Sequence, residues 1–376
     1  MTGTFDVIVA GVGGMGSAAC FHLARRGLRV LGLERYDIPN TFGSSHGETR
    51  IIRLAYSENP AYVPLLVRAF ELWRETGETV DERLLYTTGS IDAGPEGSGL
   101  FEGSLASCIE HGIRHETMRG AEINRRYPGY RLPDGHLCLV QPDGGFVLPE
   151  RAIVAHVRLA QALGAEIRAH QPVLDWEATA NGGVRVRTPR DTYHAGRLVL
   201  TPGAWVSDLV PTLKSVAVPE RQVLGWFQPR HPEWFGPDRF PVGNLAFAEG
   251  RYYLLPVWGV LGLKIGLYHH LGETGHPDTL PREVTEADEA ALRRCLGRYF
   301  PDADGPVMAL HACLFTNTPD EHFIIDTLAG TEQVLVVSAC SGHGFKFATV
   351  IGEIVADLAA TGRSRFDLSM FRLDRF

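Results

Sequence analysis

The sequence predicts a mixed α/β (α+β) fold: a βαβ-based domain with a second domain, built on a mostly antiparallel sheet, interleaved into it. Three observations carry this expectation. The first 34 residues read as strand, glycine turn, helix and strand. Between about 220 and 270, short Val-, Leu- and Tyr-rich runs alternate with Gly and Pro, the pattern of antiparallel strands. Near the end, an apolar run followed by a helical one returns to the style of the first segment, which places both chain ends in one domain. A length of 376 residues suits two to three domains. Gly (42) and Pro (23) exceed the average share of about 12% but stay below the ~25–30% of disordered chains, which favours a loop-rich enzyme over a helical bundle.

Taken in order, Phe5–Ala10 (FDVIVA) is a short apolar run rich in Val and Ile, the signature of a buried parallel strand. Gly11-Val12-Gly13-Gly14-Met15-Gly16 follows, then a helix over Ser17–Arg26 ended by Gly27, then the strand Leu28–Leu33 closed by Glu34. Helices are expected over Ala61–Glu75, Arg151–Gly164, Thr285–Tyr299 (Thr285 as N-cap) and Phe347–Leu358. Strands are expected at Val184–Arg187, Arg197–Thr201, Val223–Phe227, Tyr252–Leu255, Leu261–Leu267 and Val334–Val337. We place the first domain at 1–85, 145–215 and 311–376 and the second at 86–144 and 216–310.

The G-x-G-x-x-G turn lies between a strand and a helix, with an acid 23 residues past its first glycine (34 − 11). That context marks a Rossmann-like dinucleotide site. Gly11 allows the tight turn, Gly13 lets the backbone approach a pyrophosphate, and Gly16 lets helix and strand pack closely. The helix N-terminus presents free N–H groups to the phosphates. Glu34 accepts hydrogen bonds from an adenosine ribose and disfavours a 2′-phosphate, so FAD or NAD fits better than NADP.

Composition excludes several classes. The net charge is −8 and no basic run exists, which argues against nucleic acid. The six cysteines are scattered without C-x-x-C spacing, which argues against a zinc site or a disulfide framework. His269-His270 with His276, and Glu321-His322, lack suitably spaced partners, so no metal is expected. The longest apolar stretch, Leu254–Leu263, is too short and too broken to span a bilayer, and no leader segment is expected. The reading from composition is a soluble, cytoplasmic protein.

From Ser44–Tyr56 (SSHGETRIIRLAY) onward the chain resembles the FAD-dependent amine oxidases of the monomeric sarcosine oxidase and N-methyl amino acid oxidase type, within the D-amino-acid oxidase superfamily. The resemblance continues through Gly203-Ala204-Trp205, Arg221–Phe227 (RQVLGWF) and Tyr252–Gly266, and is strongest in Cys313–Asp326 (CLFTNTPDEHFIID) and Ser341–Phe347 (SGHGFKF). It implies FAD attached covalently at the 8α-methyl through Cys313. Taken alone, that cysteine would read as a small buried hydrophobe. It implies that Lys264, in the apolar run Leu261–Gly266, is the oxygen-activating cation. Arg53 and Lys346 become the cations for the substrate carboxylate, a planar fork and a point charge. Arg50 would lie against the flavin, His46 would sit in the same loop, and Tyr253 would stand near the bound amine. The expected cofactor contacts are Gly11, Val12, Gly13, Gly14, Met15, Gly16, Glu34, Arg35, Ser44, Ser45, His46, Thr49, Arg50, Val173, Gly203, Trp205, Cys313, Gly342, His343, Gly344, Phe345 and Lys346.

Two positions depart from the family. Tyr268 stands where a histidine follows the lysine by four, with His269 next, and Phe315 replaces a tyrosine. Either Tyr268 supplies the histidine's polar contact, or a one-residue bulge brings His269 into the pocket. The implied reaction is oxidation of a secondary amino acid, N-methylated or cyclic, with O₂ reduced to H₂O₂. The alternative is a dehydrogenase or complex subunit of the same fold with another electron acceptor. A third reading, a nicotinamide-binding protein using only the βαβ unit, leaves the Cys313 and Lys346 segments unexplained.

Overall fold

The Thr4–Ala10 strand lies in the middle of an eight-stranded sheet, and Val7 to Ala10 are at most 1% exposed, which is why the run is apolar without alternation. In this computed structural model, which describes residues 4–376, Val30–Leu33 pairs parallel on one side and Thr192–Leu200 on the other. Thr192–Leu200 is long enough to serve two partners on its far side. Its first half pairs antiparallel with Val184–Arg187, and Leu198–Leu200 pair parallel with Val334–Val336 of the Thr331–Ser338 strand. Both chain ends therefore share this sheet. Residues 1–3 of the first expected segment lie outside the described residues.

The first helix spans Gly14–Arg25, three residues earlier than expected, because Gly14 and Gly16 are helical. The reason is contact. Gly11 holds φ +96°, and a Cβ at Gly16 would overlap the Gly11 carbonyl oxygen, so helix and strand meet at backbone distance. Helices Val63–Val80, Pro149–Ala162 and Ala348–Thr361 pack beside it over one apolar core that includes Trp73, Phe323 and Phe347.

The second sheet also has eight strands, in the order Val307–Asn317, Val218–Phe227, Leu263–Leu267, Gly250–Leu255, Val242–Phe247, Ser90–Gly94, Leu137–Gln141 and Glu116–Arg119. Every pair is antiparallel except Val242–Phe247 with Ser90–Gly94. Helix Glu286–Tyr299 packs on one face, where the Thr285 N–H donates to Asp288 Oδ2 (2.7 Å) and Arg221 clamps the same carboxylate with two N–H bonds. One expected boundary needs correction. Position 311 falls inside the Val307–Asn317 strand, whose hydrogen bonds run to Val218–Phe227, so Cys313 sits on the second sheet and not in the βαβ domain. Arg50–Ile52, Gly145–Val147 and Leu85–Thr87 form a third, three-stranded sheet.

Candidate active site

A cavity of about 510 Å³ starts at the glycine turn and runs beneath the second sheet, lined by residues from both domains. At its first end stand Gly11, Val12, Gly13, Gly14 and Met15, followed by Glu34 and Arg35. Glu34 Oε2 accepts the Val12 N–H (2.7 Å) and Oε1 the Tyr36 N–H (3.0 Å), while burial raises its pKa above the ordinary glutamate value. The wall continues through Ser44, Ser45, Thr49, Arg50, Val173, Gly203 and Trp205, and is closed by Gly342, His343, Gly344, Phe345 and Lys346. Gly13 keeps open space where a side chain would project, its nearest such neighbour being Ser45 Oγ at 3.9 Å. Gly344 has none to spare, since a Cβ there would overlap the Ala339 carbonyl. A cradle of bare backbone with a buried carboxylate at one end fits the phosphates and ribose of FAD.

The second sheet forms the roof, and strand alternation selects its residues. Asn244 pairs with Tyr253, Tyr253 with Gly266, and Gly266 with Leu224, making one row across four strands. Positions two residues away share the face: Leu255, Lys264 and Trp226 in the next row, Tyr268 and Cys313 on the other side. Gly266 makes room for Tyr253, because a Cβ there would overlap the phenol. Cys313 is 1% exposed, and its Sγ lies 3.8 Å from Arg50 Nη2 and 4.0 Å from the Ser44 carbonyl.

At the far end lie Arg53, Lys346, Tyr268 and Phe315. Arg53 is buried and paired twice, Nε to Asp92 Oδ2 (3.2 Å) and Nη2 to Glu58 Oε2 (3.1 Å). Burial acts to lower its pKa, but the two carboxylates outweigh it and keep the guanidinium charged. Glu58 also accepts from Arg251 Nη2 (2.9 Å); burial opposes its ionisation, yet the two arginines hold it well below the ordinary glutamate range. Asp92 goes the other way, raised by burial despite Arg53. Lys346 Nζ donates to the His343 carbonyl (2.7 Å), and burial beside Arg53 pushes its pKa well down. The His343 Nε2 faces the Glu321 carbonyl (2.9 Å), which can only accept, so Nε2 carries the proton and Nδ1 accepts from the Tyr56 hydroxyl (2.5 Å). Burial lowers the His343 pKa to about 4, leaving it neutral.

Four expected site residues stand outside the cavity wall. Gly16 packs inward against Gly11, as its helix-packing role requires. His46 is buried behind the wall with both ring nitrogens unpartnered, and desolvation plus Arg50 lowers its pKa to about 3. Lys264 is 1% exposed, lies 5.5 Å from the Trp226 ring and donates to the carbonyls of Gly47 (2.7 Å) and Thr49 (2.6 Å). Burial and Arg50 push its pKa well down; Arg50 lines the cavity, whereas Lys264 stands one layer back. His269 must be corrected as a pocket residue. The strand ends at Leu267, and His269 takes φ +59° and turns outward between Glu220 Oε2 (2.8 Å) and Glu321 Oε1 (3.2 Å). No bulge brings it inward; Tyr268 lines the cavity, between the rings of Tyr253 and Phe315.

The sequence reading missed Glu58, Asp92, Asn244 and Arg251. A signal was present for two of them. Arg251 precedes Tyr253 by two on a strand, hence shares its face, and Asn244 is a lone polar residue in the otherwise apolar run Val242–Phe247.

A dinucleotide cradle opening under an antiparallel roof defines a flavin-dependent oxidoreductase, and the chain belongs to the DAO family of FAD dependent oxidoreductases, whose pattern matches residues 6–358. It is similar to the monomeric sarcosine oxidase of Streptomyces avermitilis, 41% identical over 99% of this chain and 97% of that protein. It is similar also to the N-methyl-L-tryptophan oxidase of Salmonella arizonae, 37% identical over 99% of both chains. Among solved structures it resembles the open form of NikD, described as an unusual amino acid oxidase essential for nikkomycin biosynthesis. The TM-score is 0.85 and identity 27%, over 99% of this chain and 98% of that one.

Proposed function

We propose that this FAD-dependent oxidoreductase oxidises secondary amino acids, N-methylated or cyclic, with O₂ as the acceptor. The observation that carries the reading is the cavity's polarity along its length, from the dinucleotide cradle, past Cys313 and Arg50, to a cation-rich end at Arg53 and Lys346. Bound FAD would supply two-electron chemistry: a hydride from the carbon beside nitrogen and the amine proton would leave the substrate as its C–N bond becomes C=N, and O₂ would take up the two electrons and two protons as H₂O₂. Gly11–Met15, Glu34 and the Gly342–Phe345 loop would hold it, and Cys313 Sγ is the group that would tether it covalently. The substrate carboxylate is held by Arg53 and Lys346, which carry it into a site where desolvation strengthens the attraction. Tyr253 and Tyr268 flank the amine. His343 has both nitrogens engaged, Lys346 is committed to the carboxylate end, and burial raises the Tyr253 and Tyr268 phenols, so none of these acts as the base. The amine is therefore taken up in its unprotonated form. Arg50, and Lys264 in its protonated form, supply the positive potential for the charge that develops on oxygen. The enzyme works as a cytoplasmic monomer.

The test is a panel of sarcosine, other N-methyl amino acids, proline and pipecolate mixed anaerobically with the yellow enzyme. Bleaching by at least one of them, recolouring in air and release of H₂O₂ support the oxidase. Bleaching without recolouring identifies a dehydrogenase with another acceptor, and absence of bleaching by the whole panel refutes the substrate class.

A further inference from the structure

We propose that Asn244 is a specificity-determining residue, whose side-chain N–H reads an uncharged hydrogen-bond acceptor on the substrate side chain. The inference rests on the secondary-amino-acid reading above. Asn244 lines the cavity at 2% exposure. Its Oδ1 accepts from Arg251 Nε (2.9 Å), and because an arginine Nε only donates, that contact fixes which end of the amide is oxygen. The remaining end, Nδ2, is a buried donor without a partner among the described residues. A native chain leaves few such donors, and one beside a ligand cavity is poised to bond the ligand.

The orientation is enforced from behind. Arg251 Nη2 donates to Glu58 Oε1 (2.9 Å) and its guanidinium lies 4.6 Å from the Tyr268 ring centre, so the group that holds the amide oxygen is itself held in place. Register places Asn244 between Asp92 and Tyr253 on adjacent strands, hence between the ion-paired end and the amine end of the cavity. A side chain branching from the substrate α-carbon passes this point. Charge decides what that side chain carries. Arg53 and Arg251 are already matched by Glu58 and Asp92, which leaves Lys346 as the one further group for the substrate's own carboxylate. A second carboxylate would enter unpaired, whereas a hydroxyl, ether, carbonyl or carboxamide oxygen meets the Nδ2 donor without adding charge.

The experiment compares two racemic N-methyl amino acids of one shape, N-methyl-O-methylserine and N-methylnorvaline, which differ by an ether oxygen for a methylene. Anaerobic flavin reduction gives kcat/KM for each. Asn244→Asp keeps the outline and the acceptor for Arg251 but deletes the donor, and Asn244→Ala deletes both. The wild type should prefer the ether by about 5- to 10-fold, the worth of satisfying one buried neutral donor, and both variants should lose that preference. Circular dichroism and the bound-flavin spectrum verify that the variants fold. A ratio unchanged by either variant, or no wild-type preference, overturns the assignment. Equal losses on both amines overturn it too, and place Asn244 on the shared carboxylate. If sarcosine and both probes leave the flavin oxidised, the secondary-amine reading itself has failed, an outcome distinct from bleaching with an unmoved ratio.

Discussion

Replacing Arg53 with Met should destabilise the enzyme through Asp92 more than through any lost contact of the arginine itself. Arg53 is 2% exposed and neutralises two buried carboxylates. Glu58 retains Arg251 at 2.9 Å, whereas Asp92 retains only the Ser104 hydroxyl at 2.7 Å. Removing one partner of a buried pair costs about 3–5 kcal/mol, because the surviving charge stays desolvated. With an unfolding entropy of about 2.1 cal/mol/K per residue, 376 residues give ~0.8 kcal/mol/K, so Tm should fall by ~4–6 °C. The added substitution Asp92→Asn removes the orphaned charge and should restore at least about 2 kcal/mol. The deficit should also shrink in acid. A buried carboxyl with a raised pKa binds its proton more readily folded than unfolded, so the stability of Arg53→Met falls as pH rises above the unfolded value of about 4. Differential scanning calorimetry of the FAD-loaded single and double variants at pH 5 and pH 8 measures all three effects. A single variant within ~1 kcal/mol of wild type, or a double variant no better than the single, would refute the assignment of the cost to Asp92.

Lys264→Met should slow flavin reoxidation by O₂ by about 10³-fold, ~4 kcal/mol of barrier, with much less effect on anaerobic reduction; stopped-flow traces showing equal slowing of both halves would contradict its role. Burial lowers the Lys264 pKa, so if its charge assists oxygen, wild-type reoxidation declines with rising pH well below the ordinary lysine range and the Met variant shows no such decline. Acid-precipitated wild type should stay yellow and weigh one FAD more than the polypeptide, while Cys313→Ala should release its flavin; colour lost from the wild-type precipitate would disprove the tether. His269 is raised to about 10 by its bonds to Glu220 and Glu321. Its contribution to stability is complete below about pH 6.5 and is lost as pH rises toward 10, so the wild-type advantage in Tm over His269→Gln should narrow across that interval. An advantage independent of pH would mean the histidine acts by packing alone.

The βαβ unit was legible because its causes are local. Val7 to Ala10 must be apolar to lie inside a sheet covered on both faces, and Gly11 and Gly16 must lack side chains where helix meets strand. The motifs around Arg53, Cys313 and Lys346 are continuous in sequence, and these three residues line the cavity. Helix Leu100–His111 stayed hidden because two of the residues it buries are serines, Ser104 bonded to Asp92 and Ser107 to the Tyr56 carbonyl, so no apolar stripe appears. The strand holding Cys313 was assigned to the wrong domain, since sheet membership depends on a partner strand far away in the chain. Tertiary structure alone decided between Tyr268 and His269. The choice depends on where one strand ends, and Glu220 and Glu321, distant in sequence, draw the histidine outward. It also decided that Arg53 arrives already paired, because Asp92 lies on a distant strand that only the folded chain brings within 3.2 Å, while Glu58 is a near neighbour in sequence whose turn back onto Arg53 no local pattern announces. Sequence determines which groups can carry charge or shape a turn; their ionisation and their partners follow from burial, which only the assembled fold specifies.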